Sequence, residues 1–208
     1  MYRSNIEDTL RKYRTHAPGY DASAQRTMPL RRRVVALLGL RPGETVLDVA
    51  CGTGLSLSLL REAVGPAGRV VGVEVSPDMI RFARDRVAAE GWDNVDLVEA
   101  PMEEADLPAR FDALLFNYTH DVLQSACALE RIFSFARPGA RIAIAGIKHP
   151  PAMLFPLRIY RLIKARPYVS TLRGLDRPWR LLSGYVTDLR VEQVMLGTNY
   201  LAYGTARK

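Results

Sequence analysis

From Thr45 to Ile147 short β-branched runs alternate with longer helical patterns, and few folds accommodate that rhythm. Thr45 to Ala50 reads as a buried strand and Leu55 to Val64 as a helix, which the turn Gly65-Pro66-Ala67-Gly68 ends. Arg69 to Glu74 is a second apolar strand closing on an acid. Ser76-Pro77-Asp78 then signals a helix start, serine as cap and proline at the first helical position, and Gly91 stops that helix. Val95 to Val98, Phe111 to Asn117 and Arg141 to Ile147 complete five strands, with a helix over Val122 to Ala136 and the turn Arg137-Pro138-Gly139 leading into the last. Right-handed crossovers then predict a parallel sheet covered on both faces. Leu189 to Leu196 and Asn199 to Thr205 read as an antiparallel pair around Gly197-Thr198, added at the sheet edge. The predicted fold class is α/β: a doubly wound, mostly parallel seven-stranded sheet with a C-terminal antiparallel hairpin.

With 208 residues, 48% hydrophobic and 25% charged, the chain has the make-up of one globular domain rather than a fibrous or disordered one. We divide that domain into an N-terminal cap (1–28), a ligand-binding core (29–148), a lid (149–188) and terminal strands (189–208). Tyr2, Ile6, Leu10 and Tyr13 fall at helical spacing in the cap. Cys51 and Cys127 lack the spacing of a metal site or redox pair, and no metal is expected. The polar N-terminus does not read as an export signal, and no apolar run approaches the roughly 20 residues that span a bilayer, so a cytoplasmic location is expected. The net charge of +7 favours anionic partners, although the basic residues cluster after Lys148 while 85–112 is mainly acidic.

The stretch Val46-Leu47-Asp48-Val49-Ala50-Cys51-Gly52-Thr53-Gly54 carries the chemistry: a strand enters a glycine turn ahead of a helix. Glycines bring main-chain N–H groups close to a ligand, and the helix N-terminus adds unpaired donors. Glu74, twenty residues beyond Gly54 at the end of the next strand, is placed to accept both hydroxyls of a ribose. Asn117-Tyr118-Thr119-His120-Asp121 follows the fourth strand and falls at the carboxyl edge of the sheet. His120 is a candidate acid–base group or helix cap, and Tyr118 a candidate pocket residue.

These segments resemble the class I S-adenosylmethionine-dependent methyltransferases. The resemblance rests on Leu47 to Gly54, Val73 to Met79, Phe111 to Asn117 and Ala136 to Ala140, in the family's order, and is strongest toward small-molecule methyltransferases similar to those of quinone and phospholipid biosynthesis. It implies a Rossmann-like fold, S-adenosyl-L-methionine as cofactor and S-adenosyl-L-homocysteine as product. It also implies a cofactor site of Asp48, Ala50, Cys51, Gly52, Gly54, Glu74, Val75, Met79, Met102 and Asn117. Asp48 would sit near the sulfonium and amino end, with Val75 and Met79 flanking adenine. Pro101 stands where the family often has an acid for the adenine amine, which leaves that contact to groups around Met102 or to Glu103. Acceptor choice is assigned to Tyr13, His16 and Tyr20 of the cap and to Lys148 and His149 at the start of the lid.

A nicotinamide dehydrogenase fits less well, because Leu57 occupies the third glycine place of its fingerprint. A non-methylating reaction on the same fold remains an alternative, as do a lipid-headgroup and an RNA acceptor. Nucleic acid is disfavoured because the base-stacking proline-aromatic tetrad is absent after the fourth strand. The mixed apolar and basic run Met153 to Lys164 suits either a lid helix or peripheral membrane contact. The expected state is a monomer or homodimer.

Overall fold

The computed structural model describes residue 10 and residues 20–22, 24–149 and 173–207. Apart from Leu10, the cap helix over 2–15 lies outside the described residues, as do the run Met153 to Lys164 and the acceptor candidates Tyr13 and His16. Seven strands form one sheet in the order β3-β2-β1-β4-β5-β7-β6: β1 Thr45–Val49, β2 Arg69–Glu74, β3 Val95–Glu99, β4 Phe111–Asn117, β5 Ala136–Ile147, β6 Val186–Val194 and β7 Asn199–Ala206. The first five are parallel, and β7 runs antiparallel to both β5 and β6. The helices are α1 Met28–Leu37, α2 Leu57–Val64, α3 Pro77–Ala89, α4 His120–Leu123 and α5 Ala126–Phe135.

Alternation along the strands divides the core in two. Leu47, Val49, Leu114, Phe116, Ile142 and Ile144 pack on one face with α5, whereas Val46, Ala113, Leu115, Ala143 and Ala145 pack on the other with α1 and α2. Asp48 and Asn117 fall in the second phase, so the polar ends of β1 and β4 share the face that α1 covers. Order reverses between β1 and β4, which is where an open α/β sheet forms a crevice.

Helix α1 was not among the expected elements, and three local expectations are corrected. The helix expected over Val122 to Ala136 is broken at Gln124, because Ser125 caps α5 by accepting from the Ala128 amide at 3.2 Å. The turn Arg137-Pro138-Gly139 is drawn into β5, where a register shift opposite Phe111 absorbs the proline that cannot donate to the ladder. The hairpin bends at Met195 to Thr198. Leu196, expected in a strand, sits in that turn at a φ of 57° and is 77% exposed, while β6 begins at Val186.

Candidate active site

The carboxyl ends of β1, β2 and β4 open into a cleft of about 900 Å³, its open mouth included. It is lined by the turn Ala50-Cys51-Gly52, by Glu74, Val75 and Met79, by Pro101-Met102-Glu103, by Asn117 to Val122, and by Tyr20 and Arg31. The glycine turn forms because β1 must reverse within four residues, so Ala50 already takes a φ of 51° and Gly52 one of 60°. Gly54 has a different task. A Cβ there would stand 2.7 Å from Leu57 Cδ1 and 3.2 Å from Ala83 Cβ, so its missing side chain lets the turn settle against α2 and α3, outside the cleft lining.

Glu74 ties the two loops together. Its carboxylate accepts from the Gly52 amide at 3.0 Å, the Ser76 amide at 2.9 Å and the Val75 amide. Burial pushes its pKa up and these amides pull it back down. A carboxylate offers about four acceptor sites, so one so held keeps capacity for a hydroxyl donor from a sugar. Asp48 lies behind the lining, 2% exposed, with Oδ2 unpartnered; desolvation raises its pKa to about 7, opposed by the Arg31 charge and reinforced by Glu74. An orphaned buried acid beside a bridged acid fits a ligand carrying positive charge.

After β4 the backbone turns left-handed at a non-glycine residue, Tyr118, whose φ is 63°. Its hydroxyl accepts from Asn199 Nδ2 at 3.2 Å, and the Arg31 guanidinium lies over its ring, 5.6 Å from the centroid. His120 is the first residue of α4 and 6% exposed. Its Nε2 lies 2.8 Å from the Arg173 carbonyl oxygen, and a carbonyl only accepts, so Nε2 holds the proton and donates. Nδ1 is then the unprotonated nitrogen of the neutral ring, and it has no partner. Burial lowers the His120 pKa, partly offset by that carbonyl and by Asp121. The buried Thr119 hydroxyl and Asn117 Oδ1 are likewise unpartnered, so polar atoms at this end are held ready rather than consumed by the fold.

Among the described cofactor candidates, Ala50, Cys51, Gly52, Glu74, Val75, Met79, Met102 and Asn117 all line the cleft, whereas Asp48 and Gly54 do not. Glu103 lines it but also accepts from Ser125 Oγ at 2.7 Å. Tyr20 is in place. Lys148 and His149 lie outside the lining: the Lys148 Nζ donates to the His149 carbonyl at 3.0 Å, and the His149 amide donates to the Leu175 carbonyl at 2.9 Å. Sequence reasoning missed Arg31, which is 4% exposed in the middle of Arg31-Arg32-Arg33-rich α1. The signal was its helical spacing with Val34, Val35 and Leu38, which places Arg31 on the buried stripe while Arg32 and Arg33 face solvent.

Comparison with known proteins follows the same lines. The sequence profile of a methyltransferase domain family matches residues 40–164, more than half of the chain. A demethylmenaquinone methyltransferase of Symbiobacterium thermophilum is 32% identical over 92% of this chain and 90% of its own length. Nocamycin O-methyltransferase of Saccharothrix syringae is 31% identical over 70% of this chain and 55% of its own length. Among solved structures, the N-methyltransferase NodS of Bradyrhizobium japonicum in complex with S-adenosyl-L-homocysteine superposes with a TM-score of 0.69, at 13% identity and covering 99% of this chain and 100% of that one. A putative methyltransferase bound to the Trm112 activator of Haloferax volcanii gives a TM-score of 0.76 at 16% identity, covering 96% and 98%. The glycine-turn cleft at the strand-order reversal and these matches define a class: the chain belongs to the methyltransferase domain family. Within that class it is an S-adenosylmethionine-dependent enzyme of the small-molecule type.

Proposed function

We propose that this enzyme methylates an electron-rich, hydroxylated ring, such as a hydroquinone, at a carbon or oxygen that loses a proton in the reaction. The observation that carries the reading is the unprotonated, unpartnered Nδ1 of His120 in a cleft that also holds Tyr20 and Tyr118. S-adenosylmethionine, when bound, supplies an electrophilic methyl group on a leaving thioether that needs no protonation. The chain's own contribution is therefore positioning and proton removal. Gly52 and Glu74 would hold the nucleoside, with Val75, Met79, Pro101 and Met102 as apolar walls for the base. Asn117, Tyr118 and Thr119 would place the acceptor, and His120 Nδ1 would take its proton. The name of one relative above, a demethylmenaquinone methyltransferase, supports a ring acceptor of this kind, and that of the other, an O-methyltransferase, supports oxygen as an accepting atom.

The same reading places the protein in the cytoplasm, as a monomer or homodimer; no described helix is long and apolar enough to cross a membrane. The test is incubation with S-adenosylmethionine and a 1,4-naphthohydroquinone under reducing conditions, followed by mass spectrometry. A product heavier by one methyl in place of one hydrogen supports the reading. Turnover of amines but of no hydroxylated ring would overturn it.

A further inference from the structure

His120 opens α4 and Gln124 is its C-cap residue, four positions on, so the two side chains stand about one helical turn apart. Both reach the same stretch of chain. His120 Nε2 donates to the Arg173 carbonyl at 2.8 Å, and Gln124 Nε2 donates to the Pro178 carbonyl at 3.1 Å. Two side chains of one short helix therefore grip two carbonyls of a segment that joins the sheet only later, at β6.

That segment has no ladder of its own. Residues 173–181 are a run of turns and a bend. Their internal bonds are local: the Arg177 amide donates to the Gly174 carbonyl at 3.1 Å, and the Arg180 amide to the Arg177 carbonyl at 3.0 Å. Leu175 and Pro178 are buried, and the His149 amide donates to the Leu175 carbonyl at 2.9 Å. All of these act from Gly174 onward. An irregular segment has its carbonyls aimed by what it docks against, and the peptide before Gly174 docks against Gln124. Gly174 takes a φ of 76°, and a Cβ on it would overlap Gln124 Oε1 and stand 2.8 Å from Cδ. The missing side chain lets the carboxamide lie against the Gly174 main chain, beside the peptide unit whose oxygen meets His120. Gln124 itself is not part of the cleft lining, so whatever it contributes to the reaction passes through a neighbour.

We propose that Gln124 is a positioning residue: by pinning the 173–178 turn across Gly174 it presents the Arg173 carbonyl to His120 Nε2, and so keeps Nδ1 the bare nitrogen of the ring. The inference rests on the reading of His120 as the group that takes the acceptor's proton. A neutral imidazole carries one N–H, and the hydrogen bond made at one nitrogen decides which of the two holds it. Without a fixed oxygen at Nε2 the proton is shared between both nitrogens, and a ring protonated on Nδ1 cannot accept another proton there. The two contacts close over 53 and 54 positions of chain, so the base is set only while the turn is docked.

The test is nitrogen-15 NMR of protein labelled at its three histidines, read at pH 8, where burial keeps the His120 ring neutral. His120→Gln identifies the signals of that ring by their loss. The wild-type protein should show one tautomer, protonated on Nε2. Gln124→Met, similar in length but without a donor, should show both tautomers. Its kcat with 1,4-naphthohydroquinone should fall about fivefold, the worth of one hydrogen bond, while calorimetry finds S-adenosyl-L-homocysteine affinity unchanged. Gln124→Lys, which can again donate to the Pro178 carbonyl, should restore part of both. Gly174→Ala, which drives the carboxamide off from the opposite side, should reproduce the mixture. A ring still protonated only on Nε2 in Gln124→Met and Gly174→Ala, whatever the kcat, would overturn the proposal, as would a wild-type ring protonated on Nδ1. Mixed tautomers with kcat unchanged would uphold the hold of Gln124 on the ring and remove instead the reading of His120 as the base.

Discussion

The two halves of the cleft are built by opposite means. On the β1–β2 side main-chain donors join the glycine turn to the next strand: the Cys51 amide to the Val73 carbonyl at 2.9 Å, and Gly52, Val75 and Ser76 to one carboxylate. On the β4 side the shaping contacts come from far along the chain. His120 is held by the Arg173 carbonyl, Gln124 Nε2 donates to the Pro178 carbonyl at 3.1 Å, and Tyr118 is reached from Asn199. The first half is a cradle of main-chain groups suited to one invariant ligand. The second is a set of side chains aimed by remote segments, an arrangement that can be re-aimed for a new acceptor without disturbing the cradle.

Substitutions that touch one half only should break or sharpen this contrast. The largest effect is expected from Gly54→Ala, which combines a φ of 80° with a Cβ overlapping Leu57 and Ala83. Urea unfolding should show a loss of about 3 kcal/mol, and S-adenosyl-L-homocysteine binding should disappear with it. His120→Gln should lower kcat by on the order of a hundredfold, while calorimetry finds cofactor affinity unchanged. The wild-type pH profile should agree: because burial lowers the His120 pKa, activity holds through neutrality and falls only at a pH below the ordinary imidazole range. Glu74→Gln keeps the shape of the cradle but replaces an acceptor-only group, and should weaken the cofactor by about tenfold with little change in kcat at saturation.

The smallest effect concerns stability. The folded pKa of Asp48, about 7, stands above its ordinary 3.8, so the native state binds a proton more tightly than the unfolded one. Its contribution is therefore fullest at acid pH and is lost as pH rises toward 7. Asp48→Asn should flatten that slope and raise ligand-free stability at pH 8 by about 1 kcal/mol, loss of the Arg31 attraction cancelling part of the gain. Thermal melts of both proteins between pH 5 and pH 8 would measure it.

The contrast also explains what could be read from the sequence. The cradle was legible because its parts are near neighbours: Gly52 and Gly54 follow a strand, and Glu74 closes the next one. The acceptor side was not. Nothing around His120 signals that a carbonyl more than fifty positions later would choose its tautomer. Ser125 reads as an ordinary helix interior residue, yet its hydroxyl caps α5 and donates to Glu103. Lys148 and His149 were assigned to the cleft by their position after β5, yet neither is in its lining; their amides donate to the Thr198 and Leu175 carbonyls. Arg31 was hidden in the opposite way, inside a basic run whose other members are solvated, so only a helical wheel could separate it from Arg32 and Arg33.

Side-chain parity on β1 and β4 has a consequence for how this enzyme can change. Asp48, Asn117 and the α1 face carrying Arg31 meet because each strand reaches the crevice in the same phase. Inserting or deleting one residue within either strand would swap the polar group for an apolar neighbour and send the charge into the opposite layer. Lineages descending from this chain must conserve the count of residues within both strands.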